Sequence, residues 1–259
     1  MKKGTVLITG ASGGIGKELA THFSKEGHSL VLVARSAEKL AEVKQNLEAR
    51  YGANVILFIR DLSDPDQIQQ LHQELQERGI IIDYLVNNAG FGLFGEFTET
   101  DTEKELNMID LNIRSLTHLS KLFLPGMVER RSGGILNVAS SAAFQPGPLM
   151  AVYYATKAYV LSLSEALENE VKGTGVTIMA LCPGPTDTGF SNRADLGKSK
   201  LFQSGVMDVE TVAEIGYKQF KAGKTIVIPG FKNRVMANSV KFLPRKWVTA
   251  IVRKVQAKA

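Results

Sequence analysis

Cysteine and long apolar runs are scarce in this chain. A single cysteine, Cys182, occurs in 259 residues, which excludes an intramolecular disulfide framework and a cysteine-cluster zinc site. The first apolar run, residues 6–8, is too short for the core of a signal peptide. No stretch approaches the roughly 18 apolar residues that a membrane-spanning helix needs. The sequence therefore predicts a cytoplasmic protein that holds no metal ion.

Acidic residues are missing from the last part of the chain, residues 231–259, which carries eight basic residues. The whole chain has 31 Lys and Arg against 26 Asp and Glu, so the part before residue 231 has 23 basic residues and a net charge of −3. Because the net positive charge is confined to this tail, the protein is not expected to bind nucleic acid.

Short runs of Val, Ile and Leu alternate with longer helical patterns. The runs lack strict alternation of polar and apolar residues, as expected of strands that are covered on both faces. This order predicts a single-domain α/β fold, a doubly wound, Rossmann-like parallel sheet of about seven strands with helices on both faces. The predicted strands are 4–9, 29–34, 54–60, 83–86, 134–139, 175–181 and 224–228, and the predicted helices are 15–26, 36–50, 64–78, 101–130, 151–172 and 209–222.

The pattern also divides the chain by role. Residues 1–230 are predicted to form a dinucleotide-binding catalytic domain, and residues 231–259 a basic, helical extension. Residues 185–207 are rich in Gly, Ser, Thr and Asn. They follow the sixth predicted strand, at the edge where such sheets bind ligands, and are interpreted as a substrate loop.

A glycine-rich turn joins the first strand to the first helix, with Gly10, Gly14 and Gly16 spaced as G-x-x-x-G-x-G. Glycines let the backbone approach a pyrophosphate, and the helix N-terminus supplies N–H donors. The same turn matches G-x-S-x-G around Ser12, which is typical of serine hydrolases. Such an enzyme needs a histidine further along the chain, and none follows His118. A dinucleotide site is favoured, and a serine hydrolase is the alternative.

The end of the second strand indicates which dinucleotide would bind. Enzymes that use NAD place an acidic residue there to hold the ribose 2′-hydroxyl. This chain has Ala34, Arg35 and Ser36, and its first acid is Glu38. Because a guanidinium pairs well with a phosphate, Arg35 predicts a preference for NADP(H) over NAD(H).

The residues that carry chemistry are Tyr153 and Lys157, four apart on a predicted helix and hence on one face. A phenol is a poor base at neutral pH, and a neighbouring ammonium lowers its pKa. Ser140 ends the fifth strand, thirteen residues before Tyr153. Tyr154 has no lysine four residues later and is interpreted as a packing or pocket residue.

Together these motifs, over about residues 4–230, resemble the short-chain dehydrogenases/reductases of the NADP(H)-preferring type. The resemblance implies that Tyr153 exchanges a proton with the substrate oxygen, which Ser140 hydrogen-bonds. Lys157 would lower the tyrosine pKa and hold the nicotinamide ribose, and Asn112 would hold a water that links Lys157 to solvent. The expected cofactor contacts are Gly10, Ser12, Gly14, Ile15, Gly16, Arg35, Ser36, Asp61, Leu62, Asn88, Ala89, Gly90, Tyr153, Lys157, Pro183, Gly184, Thr186 and Thr188.

Apolar residues cluster in the segments expected around the nicotinamide, which predicts a lipophilic ketone, aldehyde or alcohol as substrate. The resemblance also implies a homodimer or homotetramer formed through helices 101–130 and 151–172. A non-catalytic NADP(H)-binding regulator is a further alternative, but it would not need Ser140, Tyr153 and Lys157 together. The expected substrate contacts are Phe91, Phe94, Phe144, Met150 and Phe190.

The basic tail is predicted to form a helix that begins at Pro244. Val248, Ile251, Val252 and Val255 recur with the spacing of one helix face. With the nearby basic residues, this face could lie on an anionic membrane surface. It could instead pack on its own domain or on a partner subunit. Packing is the favoured explanation, because short stripes of this kind are common on terminal helices.

Overall fold

The fold is built on one parallel sheet, which a computed structural model describes over residues 1–189 and 206–256. The sheet has seven strands in the order β3-β2-β1-β4-β5-β6-β7. Every neighbouring pair is parallel, so the predicted fold class is confirmed. The strands are β1 Thr5–Thr9, β2 Ser29–Ala34, β3 Val55–Ile59, β4 Tyr84–Asn87, β5 Gly133–Val138, β6 Val176–Leu181 and β7 Ile226–Val227.

Helices cover both faces of this sheet. The side chains of β1 alternate between two cores: Val6 and Ile8 belong to one buried cluster, and Leu7 belongs to another. Each face thus buries its own apolar layer, which explains why the strands are apolar throughout. The described helices are α1 Gly14–Lys25, α2 Ala37–Tyr51, α3 Pro65–Glu77, α4 Thr102–Ile109, α5 Leu116–Glu129, α6 Ala151–Glu170, α7 Val209–Lys221, α8 Phe231–Ser239 and α9 Arg245–Gln256.

Several of the helices on the sheet begin at a side-chain cap. Ser36 accepts a hydrogen bond from the backbone N–H of Lys39 and starts α2. Asp64 accepts a hydrogen bond from the backbone N–H of Asp66 and starts α3, which has a proline in its first turn. Helix α1 differs, because it begins after Gly13 and has no side-chain cap. Its first N–H groups are therefore left for another acceptor.

The predicted helix 101–130 is interrupted by a π-helical turn. Helix α4 ends at Ile109, a π-helical turn runs over Asp110–Ser115, and α5 follows directly. The sequence did not show this turn, since the apolar pattern passes through it. Such turns insert one residue into the helix and occur often at functional sites; here the turn contains Asn112.

The C-terminal segment is helical, as predicted, and α9 begins directly after Pro244. Helix α8 and a short 3₁₀ turn over Val240–Phe242 lead to it. Within the described ranges, no helix combines the length and the apolar character needed to cross a bilayer. The predicted division at residue 230 stays a prediction.

Candidate active site

A cleft of about 640 Å³ lies at the carboxyl ends of the parallel strands. It spans the junction of β1 and β4, where the strand order reverses and sheets of this kind bind nucleotides. The structure brings nearly all of the predicted cofactor contacts into this one cleft. The lining includes Gly10, Ser12, Gly14, Ile15, Arg35, Ser36, Asp61, Leu62, Asn88, Ala89, Gly90, Tyr153, Lys157, Pro183, Gly184, Thr186 and Thr188.

Gly16 is the one predicted cofactor contact that does not line the cleft. A Cβ there would lie 2.5 Å from Nδ2 of Asn88 and 2.7 Å from the carbonyl oxygen of Gly10. Gly16 therefore allows α1 to pack against the turn, and its contact with a pyrophosphate stays a prediction. Gly10 and Gly14 do line the cleft, with φ of +64° and +55°, where a side chain would be strained.

The N-terminus of α1 fits the phosphates of a dinucleotide. Gly13, Gly14 and Ile15 line the cleft, and α1 has no side-chain cap. A Cβ added to Gly13 would meet nothing within 4 Å. Uncapped N–H groups and the positive end of the helix dipole together form a site for an anion.

Thr9 and Asn88 tie the two strands at the centre of the cleft. The Thr9 hydroxyl accepts hydrogen bonds from the backbone N–H groups of Asn88 and Ala89 at 3.0 and 2.9 Å. The Asn88 amide donates to the carbonyl oxygens of Thr9 and Gly10 at 2.9 and 3.2 Å. Sequence reasoning named Asn88 as a cofactor contact but missed Thr9, whose position immediately before the glycine turn was the available signal.

Basic residues collect where the cleft passes the ends of β2 and β3. Arg35 is 69% exposed, and its Nη1 lies 3.6 Å from Oδ2 of Asp61. Burial alone would raise the pKa of Asp61, but hydrogen bonds from Ser63 and the Arg35 guanidinium outweigh it and hold the pKa below its usual value. Lys39 and Arg60 also line this part of the cleft. Sequence reasoning missed both, although Lys39 lies one helical turn from Arg35.

Helix α6 holds Tyr153 and Lys157 inside the cleft, 9% and 6% exposed. Lys157 Nζ lies 5.8 Å from the centre of the Tyr153 ring and donates a hydrogen bond to the carbonyl oxygen of Val138 at 2.8 Å. The hydroxyls of Ser140 and Tyr153 are hydrogen-bonded to each other. This contact supports the prediction that Ser140 acts together with Tyr153.

Burial controls the titration of this pair. It raises the pKa of Tyr153 well above its ordinary value, and the hydrogen bond with Ser140 offsets only part of the rise. Burial also lowers the pKa of Lys157 to about 8. Desolvation thus dominates the pKa of Tyr153 in the described structure, and the expectation that Lys157 lowers it stays a prediction. At neutral pH Tyr153 keeps its proton and can act as a proton donor.

Asn112 lies behind the cleft and does not line it. Its Oδ1 accepts a hydrogen bond from the backbone N–H of Phe91 at 3.1 Å. Its Nδ2 donates to the carbonyl oxygen of Phe91 at 3.0 Å and to the hydroxyl of Thr156 at 3.1 Å. The side chain thereby fixes the segment after β4 against α6. The expected water held by Asn112 stays a prediction.

An apolar wall stands beside Tyr153. Phe91 and Met150 line the cleft together with Tyr154, and these side chains pack in one cluster with Tyr153. Phe94 belongs to the same cluster but does not reach the cleft surface. The wall gives an apolar substrate group a surface next to the phenol.

Two other predicted substrate contacts are not part of this wall. Phe144 ends the 3₁₀ turn over Ser141–Phe144 and packs in a separate cluster with Leu116 and Val160. Its contact with a substrate stays a prediction. Phe190 lies outside the described residues, as does most of the predicted substrate loop.

Helix α9 packs against the outer side of the apolar wall, a contact that sequence reasoning missed. Val252 packs on the cluster that contains Tyr153 and Met150. Gln256 is 1% exposed and donates a hydrogen bond to the Tyr154 hydroxyl. Burial raises the pKa of Tyr154 to about 12, although this bond opposes the rise. No local pattern could have paired Gln256 with Tyr154, because about a hundred residues separate them.

The serine hydrolase alternative finds no support in the cleft. None of the four histidines lines it beside Ser12. His22 stacks on a tyrosine ring, and His72 meets a phenylalanine edge. His28 is hydrogen-bonded to the backbone of residue 4. Among residues 1–189 and 206–256, no group of three or more His, Cys, Asp or Glu is arranged to hold a metal ion.

The parallel sheet and its cleft are typical of proteins that bind nucleotides, and similar sequences identify the family. The sequence profile of the short chain dehydrogenases matches residues 4–198. The chain therefore belongs to the short-chain dehydrogenase/reductase family, enzymes that act on carbonyl or alcohol groups with a nicotinamide dinucleotide. Ketoacyl reductase HetN of Nostoc sp. is 34% identical over 225 residues, covering 86% of this chain and 77% of that protein.

Solved structures agree with this assignment. A short-chain dehydrogenase from Sphingobium yanoikuyae in complex with NADPH superposes with a TM-score of 0.84 at 32% identity and covers 98% of both chains. A short-chain dehydrogenase/reductase from Burkholderia phymatum in complex with NAD gives 0.81 at 25% identity and covers 93% of this chain and 95% of that one. Similar chains thus occur with either dinucleotide.

Proposed function

We propose that this protein is an NADP(H)-dependent oxidoreductase that interconverts a lipophilic ketone or aldehyde and its alcohol, with Tyr153 as the acid/base. The observation that carries the proposal is the placement of the hydrogen-bonded Ser140 and Tyr153 hydroxyls in the cleft that also contains the uncapped N-terminus of α1. A non-catalytic regulator would need the phosphate site but not this buried pair.

The chain's own residues handle the proton. A bound nicotinamide would supply the hydride in reduction and accept it in oxidation. Tyr153 donates its phenolic proton to the carbonyl oxygen during reduction and takes a proton back during oxidation. Ser140 hydrogen-bonds the same oxygen and stabilises its developing charge. The Lys157 ammonium, beside the Tyr153 ring, stabilises the negative charge on the phenol oxygen after the proton has left.

The preference for NADP(H) rests on the basic residues at the ends of β2 and β3. Arg35 and Lys39 carry positive charge beside Ser36 in the cleft, and a 2′-phosphate there would receive charge-assisted hydrogen bonds. An acidic residue directly after β2 would favour NAD(H). Asp61 does not occupy that position, because it follows β3 and forms an ion pair with Arg35. The NADPH complex of the Sphingobium yanoikuyae relative supports this preference.

The substrate class rests on the apolar wall of Phe91, Met150 and Tyr154 next to the phenol. A carbonyl bound with its oxygen at Tyr153 would place an attached apolar group on this wall, where burial is favourable. The name of the Nostoc relative, a ketoacyl reductase, fits a ketone on an apolar chain.

A homodimer or homotetramer formed through α4 to α6 belongs to the same proposal. Leu106, Ile109 and Tyr159 are 51%, 37% and 37% exposed on α4 and α6. Exposed large apolar side chains on these two helices support an interface between subunits here. The Tyr159 hydroxyl also bonds that of Thr117 at 3.0 Å, which joins α5 to α6 at this surface.

The test is consumption of NADPH and of NADH across a panel of ketones, aldehydes and 3-oxoacyl thioesters. We expect faster turnover with NADPH and with lipophilic carbonyls. Tyr153→Phe removes one oxygen and should lower kcat by about 10²–10⁴-fold. The matched control is Tyr154→Phe, which removes the neighbouring hydroxyl and should keep kcat within about tenfold. Near-normal turnover by folded Tyr153→Phe, or no turnover of any carbonyl by the wild type, would contradict the proposal.

A further inference from the structure

We propose that the C-terminal segment docks on an anionic lipid surface through its exposed apolar and basic side chains. This segment, residues 231–256, makes up roughly a tenth of the described residues. It nevertheless holds eight of the seventeen large apolar side chains that are exposed in the described ranges. The term tail surface is used below for these eight residues: Phe231, Val235, Met236, Phe242, Leu243, Trp247, Ile251 and Val255.

Helix α9 has two different faces. Val248 and Gln256 are buried, 4% and 1% exposed, and they point to the domain. Trp247, Ile251 and Val255 are 65%, 52% and 44% exposed. Because these three residues are four apart, they form one stripe along the helix. The predicted apolar face is therefore divided: part of it packs, and part of it stays on the outside.

The charge of the segment indicates its partner. Residues 231–256 contain seven basic residues and no acidic one. In a two-fold contact, a second copy of the chain would place its own basic segment against this one. The like charges would then repel each other. An anionic lipid surface complements both the charge and the apolar stripe, and a tryptophan is well suited to the boundary between headgroups and acyl chains.

Docking would also place the site close to lipid. The inner face of α9 closes the apolar wall, through Val252 and the bond from Gln256 to Tyr154. The outer face of the same helix would then lie on the membrane, where a lipophilic carbonyl dissolves. This consequence rests on the proposed function, but the docking itself does not.

Trp247 reports on docking directly, since it is the only tryptophan in the chain. Full-length protein without cofactor would be mixed with vesicles of phosphatidylcholine alone, or of phosphatidylcholine and phosphatidylglycerol in equal parts. We expect a blue shift of the tryptophan emission and cosedimentation with the anionic vesicles only. Both should be lost in about 1 M NaCl, where the screening length falls to about 3 Å.

Charge reversals provide matched variants. Lys246→Glu with Lys254→Glu changes two exposed lysines of α9. Lys172→Glu with Lys224→Glu makes the same change in net charge on exposed lysines elsewhere. If each basic residue near the surface contributes about fivefold in partitioning, the α9 pair should reduce vesicle binding by about 25-fold or more. The control pair should reduce it by less than fivefold.

Three results would overturn the docking proposal. The first is wild-type protein that stays in the supernatant with both kinds of vesicle. The second is an equal loss of vesicle binding in the two pairs of lysine substitutions. The third is a change of oligomeric mass in Trp247→Ala with Ile251→Ala, which would make the tail surface a contact between subunits. Turnover of a water-soluble carbonyl is measured in parallel, so that absence of activity is distinguished from absence of docking.

Discussion

At the scale of single residues, burial decides what Tyr153 and Lys157 can do. Both side chains are almost fully covered, and desolvation disfavours the charged form of each. The phenol therefore keeps its proton, while the pKa of the amine falls to about 8. A buried proton donor beside a cation that titrates near neutrality suits the reduction of a carbonyl.

The pH profile should follow Lys157. As the pH rises through about 8, Lys157 loses its charge, whereas Tyr153, with its raised pKa, stays protonated. We expect kcat/KM for carbonyl reduction to be level below this pH and to fall above it, because the neutral amine no longer stabilises the phenolate. Lys157→Arg keeps its charge throughout, so the alkaline fall should move out of this range. An unchanged fall in folded Lys157→Arg would assign it to another group.

Cofactor choice should depend on Arg35. Charge-assisted hydrogen bonds contribute roughly 1.5–3 kcal/mol, so Arg35→Ala should raise the Kd for NADPH by roughly 10- to 100-fold. The Kd for NADH should stay within a few fold, since NADH lacks the 2′-phosphate. Both dissociation constants are measured by fluorescence titration with NADPH and with NADH. Arg50→Ala removes the same charge at the other end of α2 and serves as the control. Equal losses for NADPH and NADH would refute the role of Arg35.

At the scale of elements, the site depends on two irregular connections. The π-helical turn over Asp110–Ser115 carries Asn112 to Phe91 and Thr156. Helix α9 returns to the site and contributes Gln256. An ion pair of 2.5 Å between Arg253 and Glu96 adds a second attachment of α9, to the segment after β4. Both connections adjoin the apolar wall of the cleft, through Phe91 and Tyr154.

Releasing α9 from Tyr154 should therefore weaken substrate binding selectively. A neutral hydrogen bond contributes about 0.5–1.5 kcal/mol, so Gln256→Ala should raise KM for the carbonyl by up to about tenfold. KM for NADPH should not change. Tyr154→Phe removes the same bond from the other side, so the double variant should be no worse than the poorer single variant. Additive losses in steady-state assays would show that the two residues act independently.

At the scale of the whole molecule, a buried polar chain joins the two central strands to their covering helices. Asn87 of β4 donates hydrogen bonds to Ser120 of α5 at 3.2 Å and to Asn137 of β5 at 2.9 Å. Asn137 in turn donates to Ser164 of α6 at 2.9 Å. All four side chains are 3% exposed or less. Each bond satisfies a group that would otherwise be costly to bury.

Breaking this chain should destabilise the fold. Asn137→Ala removes the central member, and an unsatisfied buried polar group costs about 1–3 kcal/mol. We expect the free energy of unfolding in urea to fall by about that amount. Asn169→Ala, at an exposed position near the end of α6, should change it by no more than about 0.5 kcal/mol. Equal stability of the two variants would show that the chain of bonds is not stabilising.

Much of the fold and the central residues of the site were predictable, because the sequence patterns that indicate them are local. Strand β2 occupies residues 29–34, as its apolar run predicts. Tyr153 and Lys157 share a helix face because they are four apart, and Ser140 joins them because the carboxyl ends of parallel strands meet at one edge. The packing of Gly16 against Asn88 and of Phe144 in a separate cluster could not be predicted, since a motif or an apolar side chain does not reveal which neighbour it packs against.

The sequence alone determined the order of strands and helices, the glycine turn, the basic end of β2 and the concentration of positive charge in the tail. Each of these follows from residues close together in the chain. Only the tertiary structure decided the direction of the tyrosine pKa shift, the closure of the apolar wall by Gln256, and which half of the α9 stripe stays exposed. Those properties depend on burial, and burial is set by segments that are distant in sequence and meet only in the folded chain.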